Sequence, residues 1–324
     1  MTSQATTPAP AAVTPAAGTE PLATVPPAAE VDRRRLLLIV NPHAGGGRGA
    51  RALPDVCAAL KRWAGDVRVE LTRNIDHASE LAEEAVADGR VAVALGGDGL
   101  AGRVAETVAH RGGLLAVLPG GRGNDFLRGM GAARQPVIAA TALASGTERR
   151  IDLAEANGRA YLGIASVGFD SDVQVIANRA RFVRGQNVYT YGALRAAATW
   201  KPVRFTVEID GGAPREMIGW TVAAANSAYY GGGMCLAPAA KPDDGLLDIV
   251  LLSRCGKITF LSTFPKVFSG RHVDSPHVEV AQASRIRIDA DRPFQLYADG
   301  DPIADLPVEI VVRPGVLRLL ASPG

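Results

Sequence analysis

Asp98 stands in the run Gly96-Gly97-Asp98-Gly99, directly after the apolar stretch Val91-Ala-Val-Ala-Leu95. Small and branched apolar residues that stop abruptly at glycine read as a buried strand and its turn. A helix is expected from Ala101 to His110. A glycine turn between strand and helix offers backbone N–H groups and a helix N-terminus to phosphate. A carboxylate there repels phosphate unless a cation or a proton lies between them. The combination points to nucleotide-and-metal chemistry, with phosphoryl transfer as the reaction. Taken alone, the glycines are explained equally well by a tight βα connection.

Two further loops repeat the pattern. Asn41-Pro42-His43-Ala44-Gly45 follows Arg35-Leu-Leu-Leu-Ile-Val40, and Gly121-Arg122-Gly123-Asn124-Asp125 follows Leu114-Leu-Ala-Val-Leu-Pro119. Three such loops at one sheet edge are hard to explain as connectors. The first lacks the GKS or GKT ending of a P-loop, which disfavours a Walker-type NTPase. None reads as GxGxxG followed by an acidic strand end, so a dinucleotide site has weak support. Asp243-Asp244-Gly245, ahead of Leu246, is either a β-turn or a source of carboxylate and carbonyl oxygens for Mg²⁺. Asp299-Gly300-Asp301 is either a hairpin turn or the seat of a general base for an attacking hydroxyl.

These loops need a scaffold. Strand-like runs at 35–40, 67–72, 91–95 and 114–119 alternate with helical stretches at 50–63, 77–88 and 101–110. That alternation predicts a doubly wound, largely parallel α/β domain, whose ligands bind at the strand C-ends. After about Gly146 the texture changes to short strands broken by Gly, Pro and Asp, including 151–153, 160–165, 203–209, 220–225, 247–252, 277–280, 285–288, 294–297 and 308–312. Such density predicts an antiparallel β-sandwich, interrupted by helices near 171–200 and 257–269. The expected division is an Ala/Pro-rich disordered tail (1–32), a nucleotide-binding domain (33–147) and a substrate domain (148–324), with the last strand free to return to the first domain.

With 324 residues, 47% apolar and 21% charged, the chain can bury two cores. A net charge of +2 gives no case for nucleic acid. Three dispersed cysteines without CxxC spacing fit a reduced, cytoplasmic setting and argue against zinc. The tail has neither a basic start nor an unbroken apolar core, so it makes a poor signal peptide. No stretch is apolar for long enough to span a bilayer.

Together the motifs resemble the diacylglycerol kinase catalytic family, which includes soluble bacterial lipid kinases and sphingosine kinases and is related to NAD kinases. The resemblance runs from about Arg35 to Pro314. It rests on Asn41-Pro-His-Ala-Gly45, Leu95-Gly-Gly-Asp-Gly99, Leu118-Pro-Gly-Gly-Arg-Gly-Asn-Asp-Phe126 and Ser166-Val-Gly-Phe-Asp170. Gly231-Gly-Gly-Met234, Asp244-Gly-Leu-Leu-Asp248 and Asp299-Gly-Asp301 complete the order. The resemblance implies an NAD kinase-like first domain and ATP in an interdomain cleft. Asn41, Pro42, His43, Ala44, Gly45, Thr72, Gly96, Gly97, Asp98, Gly99, Leu100, Arg103, Arg122, Asn124 and Asp125 would then surround the nucleotide. Asp244 would bind a structural Mg²⁺ with the main-chain oxygens of Lys241 and Leu246. Asp301 would be the catalytic base, Asp299 its partner, and Asp98 would organise metal and phosphates.

Three positions depart from the family pattern. Leu100 stands where a Thr follows GGDG, Arg103 where the next helix carries Glu, and Arg122 where the third loop carries Thr. The two added cations could bind phosphate in place of the hydroxyls, or mark altered donor binding. The acceptor implied is a lipid met at the inner face of the membrane: diacylglycerol, or alternatively a sphingoid or other long-chain base. A catalytically impaired nucleotide- or lipid-binding homologue is the rival reading, and a homodimer is compatible with either. Basic and aromatic residues at 178–200 suit either an interfacial helix or a helix packed on the sandwich.

Overall fold

The computed structural model describes residues 27–179, 195–196 and 200–322. Most of the Ala/Pro-rich tail and most of the basic–aromatic stretch at 178–200 lie outside the described residues. In the first half the order is β1 (Asp32–Val40), α1 (Arg48–Lys61), β2 (Asp66–Leu71), α2 (Ile75–Ala87), β3 (Arg90–Gly96), α3 (Asp98–His110), β4 (Leu114–Pro119), α4 (Asp125–Gly129) and α5 (Pro136–Ala142). Strands β2, β1, β3 and β4 lie side by side and parallel. The strands β1, β3 and β4 are covered on both faces and carry unbroken buried apolar runs, whereas the edge strand β2 is only half-buried and alternates. Leu37 and Ile39 of β1 pack with Ala78, Leu81, Val104 and Val108 of α2 and α3. Their neighbours Leu36, Leu38 and Val40 pack with Val56, Leu60 and Ala139 of α1 and α5.

The register brings four strand ends level. Val40 pairs with Leu71 and Leu95, and Gly96 pairs with Pro119. Backbone bonds carry this alignment into the loops: Asn41 N–H donates to the Leu95 carbonyl at 3.1 Å, Thr72 N–H to Val40 at 2.8 Å, and Gly120 N–H to Gly96 at 2.7 Å.

The second half is built from β5 (Thr147–Ala156), β6 (Arg159–Tyr161), β7 (Ile164–Gly168), α6 (Phe169–Arg179), β8 (Val203–Ile209), β9 (Arg215–Ala225), the short pair β10 (Tyr229–Tyr230) and β11 (Met234–Cys235), β12 (Leu247–Ser253), β13 (Val278–Ala283), β14 (Arg285–Ala290), β15 (Gln295–Ala298), β16 (Asp301–Asp305) and β17 (Val308–Ala321). Pairing within this half is antiparallel. Tyr161, Phe169, Trp200, Phe205 and Trp220 are bulky side chains of its core. This is an α/β domain joined to an antiparallel sandwich. The 14-residue strand β17 belongs to both: its start pairs with β14, its length with β5, and Arg318 and Leu319 lie parallel to Leu114 and Leu115 of β4.

Local details differ from the sequence expectation. Helix α3 starts at Asp98 rather than Ala101, because Gly97 adopts an extended N-cap geometry. The single strand expected at 160–165 is two strands, β6 and β7. The chain breaks at Leu162 and Gly163, whose N–H groups turn away to the carboxylate of Asp299.

Candidate active site

The three glycine loops touch one another. A Cβ on Gly45, whose φ is +58°, would lie 2.6 Å from the Gly120 carbonyl oxygen, and one on Gly121 would lie 2.4 Å from the Gly97 Cα. Only glycine allows such approach. The third loop is clasped by Asn124, which adopts a left-handed φ of +49°. Its Oδ1 accepts the Gly121 N–H at 2.8 Å, while its Nδ2 donates to the Gly121 carbonyl at 3.2 Å.

The loops form one wall of an open cleft. Asn41, His43, Ala44, Gly45, Thr72, Gly97, Asp98, Gly99, Leu100, Arg103 and Arg122 line it from the first half, and Asp299 and Asp301 from the second. Pro42, Gly96, Asn124 and Asp125 do not line this cleft, although they belong to the loops that shape it. Lys241, Asp244 and Leu246 are not brought to the cleft. Their turn is seated on β5 and β17 instead: Asp152 Oδ2 accepts the Gly245 N–H at 2.8 Å and Oδ1 accepts the Gly315 N–H at 2.7 Å. Asp244 Oδ1 accepts the Leu246 N–H at 3.1 Å.

An acidic cluster lies where the cleft meets the neighbouring pocket. Asp98 Oδ1 accepts the Phe126 N–H at 3.1 Å, and burial pushes its carboxyl above the usual range. Asp125 is raised to about 6, by burial first and then by the charge of Asp98. Its Oδ2 accepts the Gly232 N–H at 2.6 Å. Asp299 is raised to about 7 by burial and by Asp98. The N–H groups of Leu162 (2.9 Å) and Gly163 (3.0 Å) bond to it and oppose that rise. Carboxylates that raise one another in this way favour a cation or a shared proton among them.

Asp301 lines the cleft above the first turn of α3. Burial raises its carboxyl, while Arg103 and Arg159 pull it down. Arg103 Nη1 donates to Glu106 Oε2 at 3.0 Å, and Arg159 Nε lies 3.6 Å from Glu106 Oε1. The nearly buried Glu106 thus holds two arginines at the cleft. Leu100 does something different: it is 5% exposed and packs beneath Gly96, so it acts largely as core.

A pocket opens off the cleft and shares Asp98, Gly123, Asp299 and Gly300 with it. Ile164, Phe169, Met234 and Phe264 line its apolar side. At its inner end the Tyr230 hydroxyl donates to Asp170 Oδ2 at 3.2 Å. Burial raises Asp170 to about 6, against the effect of bonds from Tyr230 and Ser166. Asp170, Tyr230 and Phe264 also border a second, apolar pocket lined by Leu236, Val250, Leu252, Phe260 and Val267.

Sequence reasoning missed Arg73, Arg159, Glu106 and Tyr230. Arg73 lies just past Thr72 beyond the C-end of β2, and it lines the cleft beside it. Arg159 follows Asn157-Gly158, both at positive φ, a hairpin signal legible in sequence. Its nearness to Glu106 of α3 is tertiary and had no local sign.

The comparisons agree with this geometry. The diacylglycerol kinase catalytic domain matches residues 35–156, and the YegS C-terminal NAD kinase beta sandwich-like domain matches 163–321. A diacylglycerol kinase of Mycobacterium tuberculosis is 33% identical over 296 residues, covering 88% of this chain and 94% of the relative. A diacylglycerol kinase of Bacillus subtilis is 26% identical over 284 residues, covering 86% and 93%. Among solved structures, a diacylglycerol kinase from Bacillus anthracis shares the fold with a TM-score of 0.70 at 22% identity, covering 90% of this chain and 97% of that one. An NAD kinase from Archaeoglobus fulgidus, solved in complex with ATP, shares it with a TM-score of 0.50 at 15% identity, covering 89% and 93%. Two matched domains in the right order, and a 33% identical relative covered almost end to end, lead to one conclusion: this chain belongs to the diacylglycerol kinase catalytic family and is a kinase.

Proposed function

We propose that the protein transfers the γ-phosphate of ATP to a lipid hydroxyl, with diacylglycerol, giving phosphatidic acid, as the leading acceptor. The observation that carries this reading is a shared wall. Asp98 and Asp299 line both the glycine-loop cleft and the cavity that leads to the apolar pocket. Charge is handled on one side and hydrocarbon on the other, as phosphate transfer to a lipid requires. The names of the relatives support the acceptor class, and the ATP complex of the NAD kinase neighbour supports the donor.

In this reading the backbone N–H groups of 97–99 and the first turn of α3 hold phosphate, with Arg103 and Arg122 on its outer oxygens. Asp301 accepts the proton of the attacking hydroxyl. Asp299, anchored on Leu162 and Gly163, fixes the turn that carries Asp301. Catalysis is then mainly positioning and charge stabilisation.

Among the described residues no three His, Cys, Asp or Glu side chains converge as a ready metal cage. That suits Mg²⁺, which commonly takes one or two carboxylates and completes its shell with phosphate and water. Asp98, buried and raised, is the carboxylate that would meet it at the nucleotide; when bound, the ion neutralises phosphate charge. A structural Mg²⁺ would be held by Asp244 with the carbonyls of Lys241 and Leu246. Asp152 and Asp248 are raised by burial and by Asp244, so a cation there would relieve the crowding.

Asp170 favours a second acceptor reading. A carboxylate at about 6 inside the acceptor cavity suits a lipid with an additional donor, such as a long-chain base. The test is phosphate transfer from labelled ATP to a mixed lipid extract, with product identification. Labelled phosphatidic acid supports diacylglycerol, and a labelled long-chain base phosphate supports the second reading. No labelled lipid at all overturns both.

A further inference from the structure

We propose that the outward face of residues 257–271 is a docking surface for an anionic lipid bilayer. The helix Lys257–Thr263 runs straight into the 3₁₀ segment Phe264–Ser269. One stripe of this element, Phe260, Phe264 and Val267, faces inward and lines the apolar pocket. The opposite side carries Ile258, Leu261 and Phe268, which are 85%, 41% and 46% exposed. An element apolar on both sides has one partner in the core and lacks the other, and clustered exposed apolar side chains mark an interaction site.

Charge identifies the occupant. Arg254, Lys257, Lys266 and Arg271 are exposed on this segment, and no Asp or Glu occurs from 254 to 273. The next acids along the chain are Asp274 and Glu279, Glu279 is paired with Arg215 at 2.7 Å, and Asp170 lies on the inner side of the element, in the pocket beneath it. A local excess of cations around protruding apolar side chains matches an interface of anionic headgroups over acyl chains. Continuity points the same way. The pocket beneath this element shares Asp170 and Tyr230 with the acceptor cavity, so a lipid leaving the bilayer here enters on the apolar side. The inference therefore rests on the lipid-kinase reading. Among the described residues no helix is long and apolar enough to cross a membrane, so contact through this element would be peripheral.

The test is flotation of the purified full chain with vesicles of phosphatidylcholine alone, or mixed equally with phosphatidylglycerol. Wild type is expected to float with the mixed vesicles. A variant carrying Ile258→Ser, Leu261→Ser and Phe268→Ser, with an unchanged melting temperature, should lose about tenfold or more in binding. Lys266→Gln with Arg271→Gln should erase the preference for anionic vesicles. The proposal is overturned if the triple-serine variant floats like wild type, or if wild type floats with neither vesicle. A dimer that the triple-serine variant dissolves, with no flotation, would give the face to a second copy and overturn it too. A separate arm uses monomeric dihexanoylglycerol as acceptor. The triple-serine variant should keep wild-type turnover there and lose turnover on long-chain diacylglycerol in vesicles. Flotation of wild type without phosphorylation of either acceptor would leave the surface standing and remove the lipid-kinase reading.

Discussion

Asp301 presses on Gly99: a Cβ built at residue 99 would fall 2.6 Å from Asp301 Oδ2. The hairpin of the sandwich is thereby docked on the first turn of α3, and there is no room between them. Gly99→Ala should push Asp301 aside while leaving both cores intact. Turnover is expected to fall about 100-fold, as for other small misplacements of a reacting group. Steady-state kinetics beside a thermal melt would check this, and an alanine variant with normal turnover would remove the claim of contact.

Asp301 itself is open to a direct trial. Asp301→Ala should lower kcat by about 10²–10⁴, the usual contribution of a positioned base, with little change in nucleotide affinity. Full retention of kinase activity would end its assignment as base.

Arg103 should act on both phosphate and proton. It pulls the Asp301 carboxyl down against burial, and its guanidinium is held by Glu106. Arg103→Met removes that pull, so the acid limb of the kcat/KM profile should move to higher pH. The KM for ATP should rise about tenfold if a charged contact to phosphate is lost. An unmoved acid limb would separate Arg103 from Asp301.

Asp299 makes stability depend on pH. Its carboxyl lies at about 7 in the fold, against an ordinary value of 3.8. Between those values the fold holds a proton that the unfolded chain has released. The associated stability is fully present at and below the lower value and is lost as the pH rises through the upper one. The melting temperature of wild type relative to Asp299→Asn should therefore fall by a few degrees between about pH 5 and about pH 8. A difference that stays flat across that range would mean that the carboxyl is not raised.

The aromatic core under the acceptor cavity sets a stability floor. Trp220 stacks on Phe260 with centroids 4.0 Å apart and planes 4° apart, and Phe169 meets both rings edge-on. Trp220→Ala should cost about 3–5 kcal/mol in urea unfolding. A cost under about 1 kcal/mol would mean that the cavity collapses freely around the gap.

The parallel half was legible because β1, β3 and β4 carry unbroken apolar runs buried on both sides, and the edge strand β2 alternates. Val40, Leu95 and Leu118 mark their ends, and glycine marks the turns beyond them. The gathering of Asn41, Gly97 and Asp301 into one cleft was foreseeable from the order of motifs. The features that stayed hidden depend on long-range contacts. Asp299 breaks the 160–165 strand from a distance of 136 residues, and no local rule foretells a carboxylate claiming the N–H of Gly163. Leu100 reads as a lost hydroxyl in sequence, yet its side chain goes under Gly96. The turn at Asp244, which the resemblance assigns a structural rather than a catalytic role, lies away from the cleft, where Asp152 bridges Gly245 and Gly315.

β17 stitches the molecule along a seam, with one end in the sandwich and the other beside β4. Midway, at Gly315, Asp152 fastens it to β5. A hinge that opened the halves like a clamshell would have to tear this shared ribbon. Any adjustment of the cleft is thus left to the glycine loops and the β15–β16 hairpin, and a chain clipped before Arg318 would lose the tether along with the outermost parallel rung.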